Sequence, residues 1–163
     1  MSDSHEIAEL QDILRLQKGL QDITNSINAA QNVKQIIIDT RPKILDLFQV
    51  QAAHIYIMAS KDRKEIFTLV PTGDQIRERK TAVSNQTIPG YVSNTGKMVN
   101  ISDFNNNLQL NRYSDLLLDS GVDSRFGIKV RQILAMPIIY GGEILGAVEV
   151  INKLGDDGQF LDE

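Results

Sequence analysis

Val130-Arg131-Gln132-Ile133-Leu134-Ala135-Met136-Pro137-Ile138-Ile139-Tyr140-Gly141-Gly142-Glu143-Ile144-Leu145-Gly146-Ala147-Val148-Glu149-Val150-Ile151-Asn152 is the stretch that decides the fold. Two runs rich in β-branched and aliphatic residues flank a Gly-Gly pair, which supplies the positive φ angles of a tight hairpin turn. The spacing predicts strands over Val130 to Tyr140 and Glu143 to Asn152, paired antiparallel. Along the second strand Glu149 alternates with Val148 and Val150 and so points to the opposite face from them.

Working upstream, Met98 to Ile101 reads as a short strand. Thr87 to Asn94 reads as a short helix entered at Pro89-Gly90 and closed at Gly96. Ala53 to Met58 and Glu65 to Val70 are strands joined by the polar turn Lys61-Asp62-Arg63-Lys64, and Gln75 to Val83 is a third. From Ser102 to Gly127 the chain is long and polar, with Asn105-Asn106-Asn107 and a helix expected over Arg112 to Leu118. Connections of this length in a compact domain are usually lids or binding loops.

The N-terminal third is helical. Ile7, Leu10, Ile13, Leu14, Leu16, Leu20, Ile23 and Ile27 recur mostly at spacings of three and four, so one helix is expected from Glu6 to Ala30 with an apolar stripe. That stripe either packs on the domain or meets another copy of itself. A second helix is expected from Asn32 to Phe48, and Pro42 predicts a kink near Thr40 or a restart. The final Phe160-Leu161-Asp162-Glu163 resembles the start of a further helix. Helices flanking a mainly antiparallel sheet make an α+β domain.

Composition narrows the function. The 163 residues suit one domain, and 42% hydrophobic with 23% charged residues is a globular balance. The net charge of −4 gives no basic excess for a nucleic-acid backbone. No apolar run approaches a membrane span or a signal-peptide core, so a cytoplasmic protein is expected without nucleic-acid or membrane partners. With no cysteine, thiolate metal sites, a thiol nucleophile and a thioether-linked chromophore are excluded. His5-Glu6 lacks the second histidine of a zinc-protease helix. Gly155-Asp156-Asp157-Gly158 would put Lys153 at the first ligand position of a calcium loop, and neither a phosphate loop nor a nucleophile elbow occurs. No catalytic residue, metal site or required cofactor is expected.

Three blocks in the second half carry a resemblance. They are Thr87-Ile88-Pro89-Gly90-Tyr91-Val92-Ser93-Asn94-Thr95-Gly96-Lys97-Met98-Val99-Asn100-Ile101-Ser102-Asp103, the passage Asp123 to Ile138, and Gly142 to Lys153. In this order and spacing they are similar to the GAF family of sensor domains, found in cyclic-nucleotide phosphodiesterases, adenylyl cyclases and bacterial signalling proteins. The resemblance implies a GAF-like sheet with an N-terminal helix pair on one side and a lid with short helices on the other. It divides the chain into an N-terminal dimerisation or signalling helix over residues 1–30 and a GAF domain over 31–163, expected to be truncated before its C-terminal helix. Asn152-Lys153, Phe160 and Asp162-Glu163 match part of a family signature in which a Lys and an Asp form a structural ion pair, but the spacing after Phe160 departs from it.

The resemblance also implies ligand-lining positions: His54, Pro71, Thr72, Ile88, Pro89, Gly90, Phe126, Val130 and Glu149. Phe126 would stack on a planar base or plug the core. Glu149 would accept from a ligand N–H or face solvent, and His54 would touch ligand or satisfy a strand hydrogen bond. Backbone N–H groups at Ile88 and Gly90 would hold an anion, while Pro89 offers no donor. The expected function is a small-molecule-sensing regulatory domain that acts on a covalently attached output domain, with a cyclic nucleotide among the candidate ligands. The alternative is a ligand-free dimerisation or protein-interaction module, a homodimer through the first helix.

Overall fold

The computed structural model describes residues 2–118 and 124–155. Helix α1, Ser2–Ala29, is followed by α2, Val33–Phe48, and then by strands β1, Val50–Met58, β2, Glu65–Thr72, and β3, Gln75–Ala82. Helix α3, Ile88–Thr95, leads into β4, Val99–Ile101, and a one-turn helix α4, Asn107–Leu110. A small hairpin of β5, Ser124–Arg125, and β6, Ile128–Lys129, precedes β7, Ile133–Tyr140, and β8, Glu143–Lys153. The expected helix beginning at Phe160, and Asp162 of the signature, lie outside the described residues.

Six strands form one sheet in the order β3-β2-β1-β8-β7-β4, with every pairing antiparallel. This is the α+β architecture expected. The two central strands, β1 and β8, are distant in sequence and pair from Val50↔Lys153 to Ile57↔Gly146. The Gly141-Gly142 hairpin forms as expected, with φ of 59° and 80° at its two glycines. At Gly146, φ is +158° and a Cβ would lie 1.9 Å from the Tyr56 carbonyl oxygen, so only glycine lets β8 lie this close to β1.

Alternation along the strands divides the interior in two. On one face Ala53, Ile55 and Leu69 pack with Ile37 and Ile44 of α2, joined at the edge by Ile23 of α1. On the other face Ala52, Ala135, Ala147 and Ile151 pack with Ile88, Tyr91 and Val92 of α3, and Phe104, Leu110, Tyr113, Leu116 and Leu118 of the lid cover the cluster. Helix pair and lid thus lie on opposite sides of the sheet. No helix among the described residues is long and apolar enough to cross a membrane.

Three local expectations are corrected, the first only in its alternative of a restart at Pro42. Helix α2 runs through Pro42 without a break. Pro42 is exposed, and Ile38, whose carbonyl loses its partner to the proline, is also partly exposed, so the unpaired carbonyl can reach water. Burial of Ile37, Thr40, Ile44 and Leu47 on the other side holds the helix together. Arg112 to Leu118 is not a helix but a run of turns closed by bonds such as Tyr113 N–H to Leu110 O and Leu116 N–H to Tyr113 O. Its groups are spent elsewhere: the Tyr113 hydroxyl binds the Asn100 backbone, and the Leu117 N–H donates to Asn85 O. Finally, β7 starts at Ile133 and not at Val130, because the N–H groups of Arg131 and Gln132 donate to the Asn152 side chain.

Candidate functional site

The lid-facing side of β1 and β8 carries a polar group inside an otherwise apolar layer. His54 and Glu149 are cross-strand partners in the β1–β8 ladder, and both side chains face the lid. His54 Nδ1 lies 2.9 Å from Glu149 Oε1, and the Tyr56 hydroxyl donates to the same oxygen over 3.1 Å. His54 is 1% exposed, and Tyr56 and Glu149 are 0% exposed. A buried carboxylate is costly unless hydrogen-bonded, and here two neighbouring side chains supply the donors.

The lid hairpin adds an aromatic face. Phe126 and Gly127 form the turn between β5 and β6, with φ of 50° and 84°. Two positive φ values in a two-residue turn suit Asn-Gly or Gly-Gly, and a phenylalanine there stores backbone strain of about 1–3 kcal/mol. The Phe126 ring sits edge-on against His54, with centroids 4.9 Å apart and planes at 76°, and the residue is 39% exposed. The Phe126 ring packs on His54 while the residue stays too exposed to be a core plug.

The other expected positions separate into two groups. Ile88 and Val130 are buried in the lid-side core. Pro89 and Gly90 are buried in the first turn of α3, and the Gly90 N–H donates to the Thr87 side chain over 3.2 Å. The expected anion-holding role of that N–H is therefore corrected: it is taken by the helix cap. A Cβ at Gly90 would also meet Ala82 O at 2.5 Å, which fixes α3 tightly against the end of β3. Pro71 and Thr72 are exposed at the end of β2, paired with Ile76 and Gln75, and do not join the His54–Glu149 group.

Two participants went unread in the sequence. Tyr56 shares a strand face with His54, a relation that period-two alternation alone discloses. Thr68 alternates with Phe67 and Leu69, which pack on the helix side, so it faces the lid. It is fully buried and its hydroxyl finds no hydrogen-bond partner among the described residues.

The lid is pinned to α3 and β4 by further polar contacts. Asp115 accepts from the Tyr91 hydroxyl at 2.9 Å and from Lys97 Nζ at 3.1 Å. These bonds, Tyr91 first, hold the Asp115 carboxyl below the usual carboxylate range. Burial, and then donation to Asp115, raise the Tyr91 phenol. The Gln109 side-chain oxygen accepts from the N–H groups of Ser102 and Asp103. A cleft of about 500 Å³ runs along the lid between Leu110, Tyr113, Leu116 and Leu118. A second opening of about 370 Å³ lies at the far end of the sheet beside Phe48, Ile133 and Asn152. Neither is lined by His54, Phe126 or Glu149.

Comparison with known proteins agrees with this architecture. Among curated proteins, the chain is similar to a probable 3′,5′-cyclic phosphodiesterase, pde-5, of Caenorhabditis elegans, with 29% identity over 158 residues. That match covers 90% of this chain and 20% of the phosphodiesterase, so the chain corresponds to about a fifth of that protein. Among solved structures, it resembles the GAF domain from Acinetobacter phosphoenolpyruvate-protein phosphotransferase, with a TM-score of 0.61 and 14% identity, covering 93% of this chain and 80% of that one. The A. aeolicus nlh2 GAF domain, in an inactive state, superposes with a TM-score of 0.61 and 13% identity, covering 90% of this chain and 84% of that one. The family profile for the GAF domain matches residues 33–163, and the chain belongs to the GAF domain family.

Proposed function

We propose that this GAF domain is a regulatory sensor, not a catalyst, which takes up a small molecule between its lid and its sheet, and that a cyclic nucleotide is the first ligand to test. The carrying observation is the buried Glu149 carboxylate, held by His54 and Tyr56 beneath the partly exposed Phe126 ring. A planar heterocycle with ring N–H groups suits that pair of features, an aromatic surface to stack on and a carboxylate to donate to. Similarity to a cyclic phosphodiesterase supports the same ligand class.

Ligand would bind the closed-lid arrangement more tightly than the open one, and the shifted population would reach an attached output domain through the terminal helices. Thermal melting with cyclic AMP and cyclic GMP tests this. A ligand present at a hundred times its dissociation constant stabilises by about 2.7 kcal/mol, a rise of several degrees for a domain of this size. A melting temperature unmoved by either nucleotide at millimolar concentration sinks the cyclic-nucleotide reading.

A second reading has its own observation. Helix α1 meets α2 through Gly19, whose position abuts Leu47, and through Arg15, which donates to Leu47 O. Ile7, Leu10, Leu14, Leu16, Leu20 and Ile27 remain exposed. A stripe of this kind suits a homodimer formed by pairing α1 with its symmetry mate. Changing Leu16 and Leu20 to glutamate and measuring mass in solution decides it: a dimer that persists removes α1 as the interface.

A further inference from the structure

Asn152 sits three residues beyond Glu149 on β8, opposite Gln51 of β1, which itself lies three residues before His54. The asparagine thus lies next to the end of the strand pair that carries the candidate site. It is 2% exposed and adopts φ of 57°, a left-handed conformation that asparagine tolerates better than most residues.

Its side chain is fully used. Oδ1 accepts from the N–H groups of Arg131 at 2.8 Å and Gln132 at 3.0 Å. Nδ2 donates to Lys129 O at 2.8 Å and to Gln51 Oε1 at 2.7 Å. An amide offers two acceptor sites and two donors, and all four are satisfied. The Asn152 N–H also donates to Gln132 O at 3.0 Å. Two of the four side-chain bonds reach the segment between β6 and β7, a third reaches Lys129 at the end of β6, and the fourth goes to Gln51 of β1.

Lys129 is the last residue of β6, and its hairpin partner is Ser124. Holding Lys129 O thus holds the base of the hairpin whose tip is Phe126-Gly127. That tip carries a phenylalanine in a strained conformation, and a strained turn persists where its surroundings over-determine it. The His54 contact fixes the tip and Asn152 fixes the base.

We propose that Asn152 is a positioning residue for the candidate site: by clamping the chain on leaving β6 it sets the Phe126 ring against His54. The proposal rests on the ligand-site reading only for its functional meaning. The clamp itself is testable without ligand.

The chain contains no tryptophan, so Phe126→Trp places a single indole at the hairpin tip. On that background, Asn152→Gly keeps the backbone conformation accessible and removes the clamp. The acrylamide quenching constant is expected to rise about two-fold as the hairpin opens more often. In the chain that retains Phe126, hydrogen exchange at Ile128 and Lys129 is expected to accelerate about ten-fold on Asn152→Gly, with α2 amides unchanged.

Unchanged quenching and exchange at the hairpin would overturn the proposal. So would acceleration shared equally by α2, because that marks a general loss of stability. If Asn152→Gly does not fold, Asn152→Asp serves: it keeps the two accepted bonds, loses both donated ones, and is expected to give a smaller rise confined to the hairpin. A wild-type protein that ignores cyclic nucleotides leaves these readouts standing. A wild-type binder whose hairpin is indifferent to Asn152 breaks this proposal alone.

Discussion

The two faces of the central strands make an instructive pair. On the helix side, Ala53, Ile55 and Leu69 meet Ile37 and Ile44 in a mainly aliphatic cluster, to which α2 adds the buried hydroxyl of Thr40. One residue out of step, the same strands present His54, Tyr56, Thr68 and Glu149 to the lid, all of them buried. The same backbone, with one burial pattern, thus supports a face whose chemistry is spent on cohesion and a face that retains polar groups at a cost. Unpartnered hydroxyls lie on both faces, at Thr40 and Thr68, but stability alone gives no reason to keep a carboxylate and an imidazole inside the lid face. That difference is why the proposed ligand site is put on the lid side.

The most severe way to break the comparison is to force the strands apart. Gly146→Ala puts a methyl group into the Tyr56 carbonyl, and a loss of more than about 4 kcal/mol is expected, visible as failure to fold or collapse of the denaturant midpoint. Ile37→Ala addresses the helix face and is expected to cost about 2–5 kcal/mol in chemical denaturation. It leaves any nucleotide affinity of the folded fraction unchanged. Glu149→Gln addresses the lid face and keeps an acceptor for Tyr56, so about 1–2 kcal/mol is expected, together with loss of the ligand-induced melting shift. A double variant of Ile37→Ala and Glu149→Gln sharpens the contrast: costs that add to within about 0.5 kcal/mol describe two independent cores, and a larger coupling describes one.

The smallest effect concerns the lid's attachment. Because the folded Asp115 carboxyl titrates below its unfolded value, the stabilisation it gives is complete above the unfolded value and is lost as pH falls through the folded one. Protection of the Leu117 amide, corrected for intrinsic exchange, is expected to hold at neutral pH and fall in acid. Asp115→Asn is expected to lower it at neutral pH and remove most of the acid dependence. An acid dependence that survives that substitution assigns the titration to another group.

Much of this organisation was legible in the residues themselves. Gly141-Gly142 between two apolar runs could hardly be other than a hairpin, and the placing of Glu149 opposite Val148 and Val150 followed from strand alternation. What escaped depended on contacts distant in sequence. Pro42 signalled a kink or a restart, and the restart fails to appear: the local cost of the proline was visible and the burial of Ile37 and Leu47 was not. Arg112 to Leu118 carries residues acceptable in a helix, yet Tyr113, Asp115 and Leu117 are claimed by Asn100, Tyr91 and Asn85. Nothing near Asn152 in sequence announces that its amide closes a loop twenty residues upstream. The same limit applied to Gly90, whose N–H was read as available until its cap was in view.

The outer margins of the sheet have a consequence for how molecules of this chain meet one another in concentrated solution. At one margin β3 is exposed along nearly its whole length and bears Arg77, Glu78, Arg79 and Lys80 in succession. At the other, β4 is three residues long, and the Tyr113 hydroxyl occupies the backbone of its central Asn100. Charge guards the first rim and brevity with a phenolic plug guards the second, which are recognised defences against strand-by-strand growth into fibres. Copies of this protein are thereby discouraged from joining by sheet extension.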